Sequence, residues 1–159
     1  MSFLAYGLCF LCSAFVGGGY SPVFSVMAES RRRKSDLNGM ASFFGAKAAY
    51  DLCTGVLPFT APHYLAYALA YLAARWGSVA ASFCFYLVSN SICFFQMLGS
   101  FYPPTFAGYA SCMWAGVPFL LRSIVGCLAM DLAFFLLARI EHSDSKAGIL
   151  LPAPSEGLA

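Results

Sequence analysis

Charge is what this sequence has least of. Lysine, arginine, aspartate and glutamate make up 10% of the 159 residues, against about 25% in an average soluble domain. With 60% of the residues hydrophobic, the chain carries more apolar surface than a water-soluble core of this size can cover. A membrane protein is the class that fits. A net charge of +2 is too small to argue for nucleic acid as a partner. Histidine is nearly absent, and His63 and His142 stand far apart in the sequence. Cys9 and Cys12 form a CxxC, but a zinc site needs four ligands and no second pair follows, so no metal is expected. The seven cysteines lie in apolar segments, where cysteine behaves as a small hydrophobe. A phosphate loop of the form GxxxxGKS or GxxxxGKT is missing, so the chain alone is expected neither to bind nor to hydrolyse ATP, and no cofactor is expected. No Ser-His pair and no second acid at helical spacing from Asp131 occur, so nothing points to an enzyme.

What charge there is collects in one place. Glu29, Arg31, Arg32, Arg33, Lys34 and Asp36 follow an N-terminal run, residues 2–28, that has no charge at all. Such a cluster cannot enter hydrocarbon. Basic clusters beside a membrane span are retained in the cytosol, so residues 29–46 are expected inside and Met1 outside. Met40, Phe43 and Phe44 share a helical face in this connector, as in a short helix lying along the cytoplasmic interface.

The expected fold is all-α: a polytopic helical membrane protein of about five segments, covering residues 1–140. The segments are about 3–28, 48–73, 78–100, 105–121 and 123–138, with a disordered tail from 141 to 159. Gly17, Gly18, Gly19 and Pro22 predict a kink or close packing in the first. Lys47 and Asp51, spaced i, i+4, can pair where the second enters from the cytosol. Pro58 and Pro62 bend or break that segment. Ala66, Ala70 and Ala74 then form a stripe of small residues, suited to close helix packing or simply facing lipid. Residues 74–77, with Arg75 and Trp76, are expected as an external turn. The third segment is uncharged, with Asn90 and Gln96 among its polar residues, and ends at Phe101-Tyr102-Pro103-Pro104. The last apolar region is too long for one span and barely enough for two. Gly116, Pro118 and Arg122 predict a break at Arg122. Five crossings then put Arg31, Arg32, Arg33, Lys34, Lys47, Arg139 and Lys146 inside, with Arg75 and Arg122 outside. Asp131 lies within the final segment, where an acid costs roughly 2.5–3.5 kcal/mol unless it meets a partner or water. Arg122 is too far along the same helix to be that partner, so one would have to come from another span or subunit. Otherwise the segment is a short interfacial helix and its acid stays wet.

The order of these features resembles the membrane domain of G-subfamily ABC transporters, the white/brown type. The matching residues are Pro22-Val23-Phe24, Glu29 with Arg31 to Lys34, Gly39-Met40, Ser42, the stretch Phe44-Gly45-Ala46-Lys47-Ala48-Ala49-Tyr50-Asp51-Leu52, Pro58 and Tyr64. Further on, Tyr102-Pro103-Pro104 with Ala107 and Pro118 is similar to the stretch leading into that family's fifth helix. The resemblance implies that Glu29, Arg31, Arg32, Arg33, Lys34 and Gly39 form a coupling helix against an ATP-hydrolysing nucleotide-binding domain. That domain would lie on another chain or a missing segment, with the protein acting as a dimer in the lipid bilayer. It implies export of lipids or other hydrophobic small molecules. The other reading is a small multipass structural or interaction protein without transport.

Overall fold

The computed structural model describes residues 23–32 and 61–149, and between them residues 41, 44, 45, 47–49, 51–53 and 55. The described residues are helical apart from turns and one isolated bridge, between Leu98 and Tyr102. The elements are α1 (Val23–Arg32), α2 (His63–Ala73), a 3-10 turn (Ala74–Trp76), α3 (Ser78–Gln96) and α4 (Phe106–Ile149). Residues 47–49 and 51–53 are also helical. Two helices are long and apolar enough to cross a membrane: α3, and α4 from Phe106 to Leu136. Most of the expected first segment lies outside the described residues, as do Arg33, Lys34, Gly39, Met40, Phe43, Pro58 and residues 150–159.

Local sequence accounts for the boundaries around α2. Proline cannot continue a helix from its N-terminal side, and Pro62 stands immediately before α2. The chain reverses between α2 and α3 at Gly77, whose φ of 116° is closed to most side chains. The expected end of the first segment at residue 28 is displaced. α1 runs on through Glu29 to Arg32, with Arg31 and Arg32 in its last turn, where the helix dipole favours cations. Glu29 and Arg32 pair at 3.8 Å. Glu29, Arg31 and Arg32 therefore belong to the same helix as Val23 to Ala28.

The expected break at Arg122 is absent. α4 continues through Pro118 and Arg122 for 44 residues, about 66 Å. Pro118 frees only the Trp114 carbonyl, and packing against α3 outweighs that loss: the Tyr86 hydroxyl donates to the neighbouring Met113 carbonyl at 2.6 Å. Nor does the chain lose order at residue 141, since α4 stays helical to Ile149. No glycine or proline falls between Arg139 and Ala147 to stop it.

The four helices pack around a core of Val23, Phe24, Met27 and Ala28 from α1 with Ala70, Tyr71, Ala74, Ala81 and Cys127. Ala66 and Ala70 are fully buried and Ala74 nearly so, so the alanine stripe packs against protein. The surface, rather than the core, differs from that of a water-soluble bundle. Phe95, Phe106, Trp114 and Leu128 are exposed, while Ser25, Ser78, Ser82, Ser123 and Asp51 are buried beside the apolar core.

One arrangement departs from a simple count of crossings. The C-terminal end of α1 and the turn after α2 sit side by side, so Arg31, Arg32 and Arg75 line a single pocket. The Arg31 guanidinium lies 5.0 Å from the centre of the Tyr71 ring. Ser78, which opens α3, meets Asp131 of α4 at this same end. Arg31 and Arg32, expected on the opposite face from Arg75, thus share one end of the bundle with it. The cause is α2, whose 11 residues extend about 16 Å, against 19 residues in α3, about 28 Å.

Candidate functional site

α2 starts halfway along its neighbour. The Tyr67 ring stacks on Phe85 with centroids 4.5 Å apart, and Phe85 is about 10 Å from the first residue of α3 by the rise per residue. Tyr64 lies one turn further from the arginine end, level with the middle of α3. Here it meets the segment that carries Lys47 and Asp51. The Lys47 ammonium donates to both Asp51 carboxylate oxygens, at 2.7 and 2.5 Å. The Tyr64 hydroxyl donates to Asp51 Oδ2 at 3.0 Å. Lys47 Nζ also stands 5.5 Å from the Tyr64 ring centre and 5.8 Å from that of Tyr67, within cation–π range. The side chains of Lys47 and Asp51 are 11% and 1% exposed. The sequence-expected i, i+4 pair forms, and it is buried.

Tyr67 is shared with a cavity of about 210 Å³ between the four helices. Phe24, Phe85 and Phe119 supply apolar walls, while Ser82, Ser89, Asn90 and Ser123 supply hydroxyl and amide groups. Phe24 packs on Phe85 at 5.3 Å, so α1, α2 and α3 are joined through three rings. Asn90 donates to the Tyr86 carbonyl at 2.8 Å. It can lie flat against α4 because Gly116 faces it: a Cβ there would fall 2.4 Å from Asn90 Oδ1. Below the cavity the serines continue as a buried chain. Ser123 reaches Ser82 at 3.4 Å, Ser82 lies 3.5 Å from the Cys127 sulfur, and Ser25 donates to the Cys127 carbonyl at 2.8 Å. Apolar walls with a few converging polar groups are what a small-molecule site requires.

The remaining expected residues separate. Arg122 is exposed on α4 beside buried Ser123, away from the cavity lining. Asp131 finds its partner on another helix: Ser78 Oγ donates to Asp131 Oδ2 at 2.5 Å. The carboxylate thereby sits at the N-terminus of α3, where the helix dipole favours an anion. Asp131→Leu should lower stability by about 1–2 kcal/mol and Asp131→Asn by less, since asparagine keeps an acceptor for Ser78. Unfolding of the three proteins in mixed micelles measures this, and an unchanged Asp131→Leu protein would mean the acid is merely solvated.

A family model matches residues 45–147. The chain belongs to the family of unknown function DUF6580. In this DUF6580 chain the matched region holds the ion pair, Tyr64, Tyr67 and the α3 and α4 walls of the cavity. Phe24, Ser25, Arg31 and Arg32 precede it. Comparison with curated proteins and with solved structures gives no match. The family's description assigns no activity, so function has to be argued from the site.

Proposed function

We propose that this protein is the membrane-spanning part of a transporter for a small, largely hydrophobic molecule, driven by ATP hydrolysis on a separate nucleotide-binding domain. The observation that carries the reading is the buried Lys47–Asp51 pair beside a polar-aromatic cavity, halfway along helices of membrane length. Ionisable residues at such depth are costly and are kept where they serve a pathway or ligand. A helix that starts at mid-bundle, as α2 does, is how many transporters bring backbone and side-chain dipoles to a central site. The ATP-driven partner and the export of lipids or similar molecules rest on the sequence resemblance to G-subfamily transporters. The chain is multi-pass in this reading. α3 and α4 each cross, α1 ends beside the turn that leads into α3, and α2 reaches only about half the length of α3. That arrangement replaces five full crossings and gathers Arg31, Arg32, Arg75 and Arg139 on the cytoplasmic side.

Cysteines placed at Arg75 and Arg139, with native cysteines removed, should escape an impermeant thiol reagent in intact cells, while one at Ser100 should react. Labelling at residue 75 would restore the external turn and remove the half-depth segment. For transport itself, cells lacking the protein should be compared by untargeted mass spectrometry of cell extract and medium. A hydrophobic species should shift between the two and be restored by the wild type. Ser123→Phe, which fills the cavity, should fail to restore it. No shift, or full restoration by a well-expressed Ser123→Phe protein, would leave the structural reading instead.

A further inference from the structure

We infer that the pocket between the end of α1 and the turn after α2 binds the phosphate of an anionic phospholipid headgroup. The pocket holds about 200 Å³ and is lined by Arg31, Arg32 and Arg75 together with Ala28 and Ala74. Chain segments more than forty positions apart in the sequence thus converge on one opening, and each contributes guanidinium groups. The alanines leave the space that larger residues would fill.

Two of the three arginines are held by aromatic faces. Arg31 lies over Tyr71 at 5.0 Å, and Arg75 lies over Trp76 at 3.8 Å. Stacking fixes the guanidinium plane and leaves its edge N–H groups to point elsewhere. Arg32 pairs with Glu29 at 3.8 Å, but its side chain is 66% exposed and so retains free reach. No carboxylate lines the pocket among the described residues. Three forked donors around one concavity suit a tetrahedral oxyanion, because guanidinium binds phosphate oxygens bidentately.

Position selects the source. The pocket lies at the end of the apolar run of α3, beside an exposed Trp76, at the level where tryptophan meets headgroups. Basic pockets between helices on the cytoplasmic side suit anionic headgroups, whose acyl chains would run along the outward apolar face. The inference rests on the membrane reading but not on transport. The arginines lie outside the cavity, so lipid binding and metabolite export can fail separately.

Native mass spectrometry of the detergent-purified protein tests it, with short-chain phosphatidylglycerol, phosphatidylcholine and inorganic phosphate as probes. Phosphatidylglycerol should be retained in preference to phosphatidylcholine. Arg75→Gln and Arg31→Gln should each weaken retention about tenfold, the usual scale for losing one hydrogen bond to a charged group. Arg139→Gln, the same charge change outside the pocket, should leave it unaltered. Equal retention of both lipids, or equal loss in Arg75→Gln and Arg139→Gln, would overturn the inference. Saturation by inorganic phosphate with no lipid preference would make the pocket a free-anion site and equally overturn the lipid assignment.

Discussion

Replacing Asp51 alone with leucine should cost about 3–5 kcal/mol of stability, the usual penalty for leaving one member of a buried ion pair without its partner. The residue left behind is Lys47, whose side chain is only 11% exposed. Its ammonium would retain just the faces of Tyr64 and Tyr67, and the Tyr64 hydroxyl would lose the acceptor it reaches at 3.0 Å. Removing both charges is a different experiment. A Lys47→Met/Asp51→Leu protein should recover most of the loss, since a buried pair replaced by apolar residues of similar volume is often neutral or better. Denaturant unfolding in mixed micelles measures all three proteins. The double variant also separates fold from function, because it should be folded yet unable to restore the metabolite shift. A single Asp51→Leu loss below about 1 kcal/mol would place the pair in water, where exposed pairs contribute that little.

A second large effect is expected where Gly116 of α4 faces Asn90 of α3. Gly116→Val would drive its Cβ to within 2.4 Å of Asn90 Oδ1 and 2.7 Å of Asn90 Cγ. Asn90 has little room to yield. Its amide holds the Tyr86 carbonyl at 2.8 Å, its own carbonyl receives Cys112 Sγ at 3.5 Å, and Tyr86 ties the helix pair again at Met113. Added volume must therefore push the helices apart, at about 1–3 kcal/mol. Adding Asn90→Ala should return most of that loss by vacating the space, giving a coupling energy that distant sites do not show. A valine tolerated without loss would mean that the helices already stand further apart.

These residues also show what the sequence could and could not reveal. α3 was legible because an uncharged run lies between Arg75-Trp76-Gly77 and Phe101-Tyr102-Pro103-Pro104, and local chemistry decides both ends. The Lys47–Asp51 pair was legible from its spacing. Its burial was not, because Tyr64 and Tyr67, which cover the pair, come from α2, and periodicity does not record which helices pack together. The short α2 also explains the misplacement of Arg75. Counting each apolar segment as one crossing puts Arg75 opposite the basic run, whereas the half-length α2 returns it to the end where Arg31 and Arg32 lie. At Pro118 and Arg122 the local signals for a break are real, but the α3 contacts around Met113, Cys112 and Ser123 outweigh them. The cavity left no trace in the sequence. Its serines and Asn90 are spread over two helices, and only packing brings them to one space.

The short length of α2 also bears on how the protein is made. At 11 residues, about 16 Å, it falls well below the roughly 20 apolar residues that let a helix partition into a bilayer alone. If the chain enters a bilayer as proposed, α2 has no reason of its own to leave the water–lipid boundary as the ribosome delivers it. Among the described helices α3 is the first that can enter unaided, and it follows α2 after only four residues. α2 therefore has to be drawn in by its neighbour, with Asp51 and Lys47 losing their water in the same event. The central site is thus assembled late, once the helices that wall it are already in place.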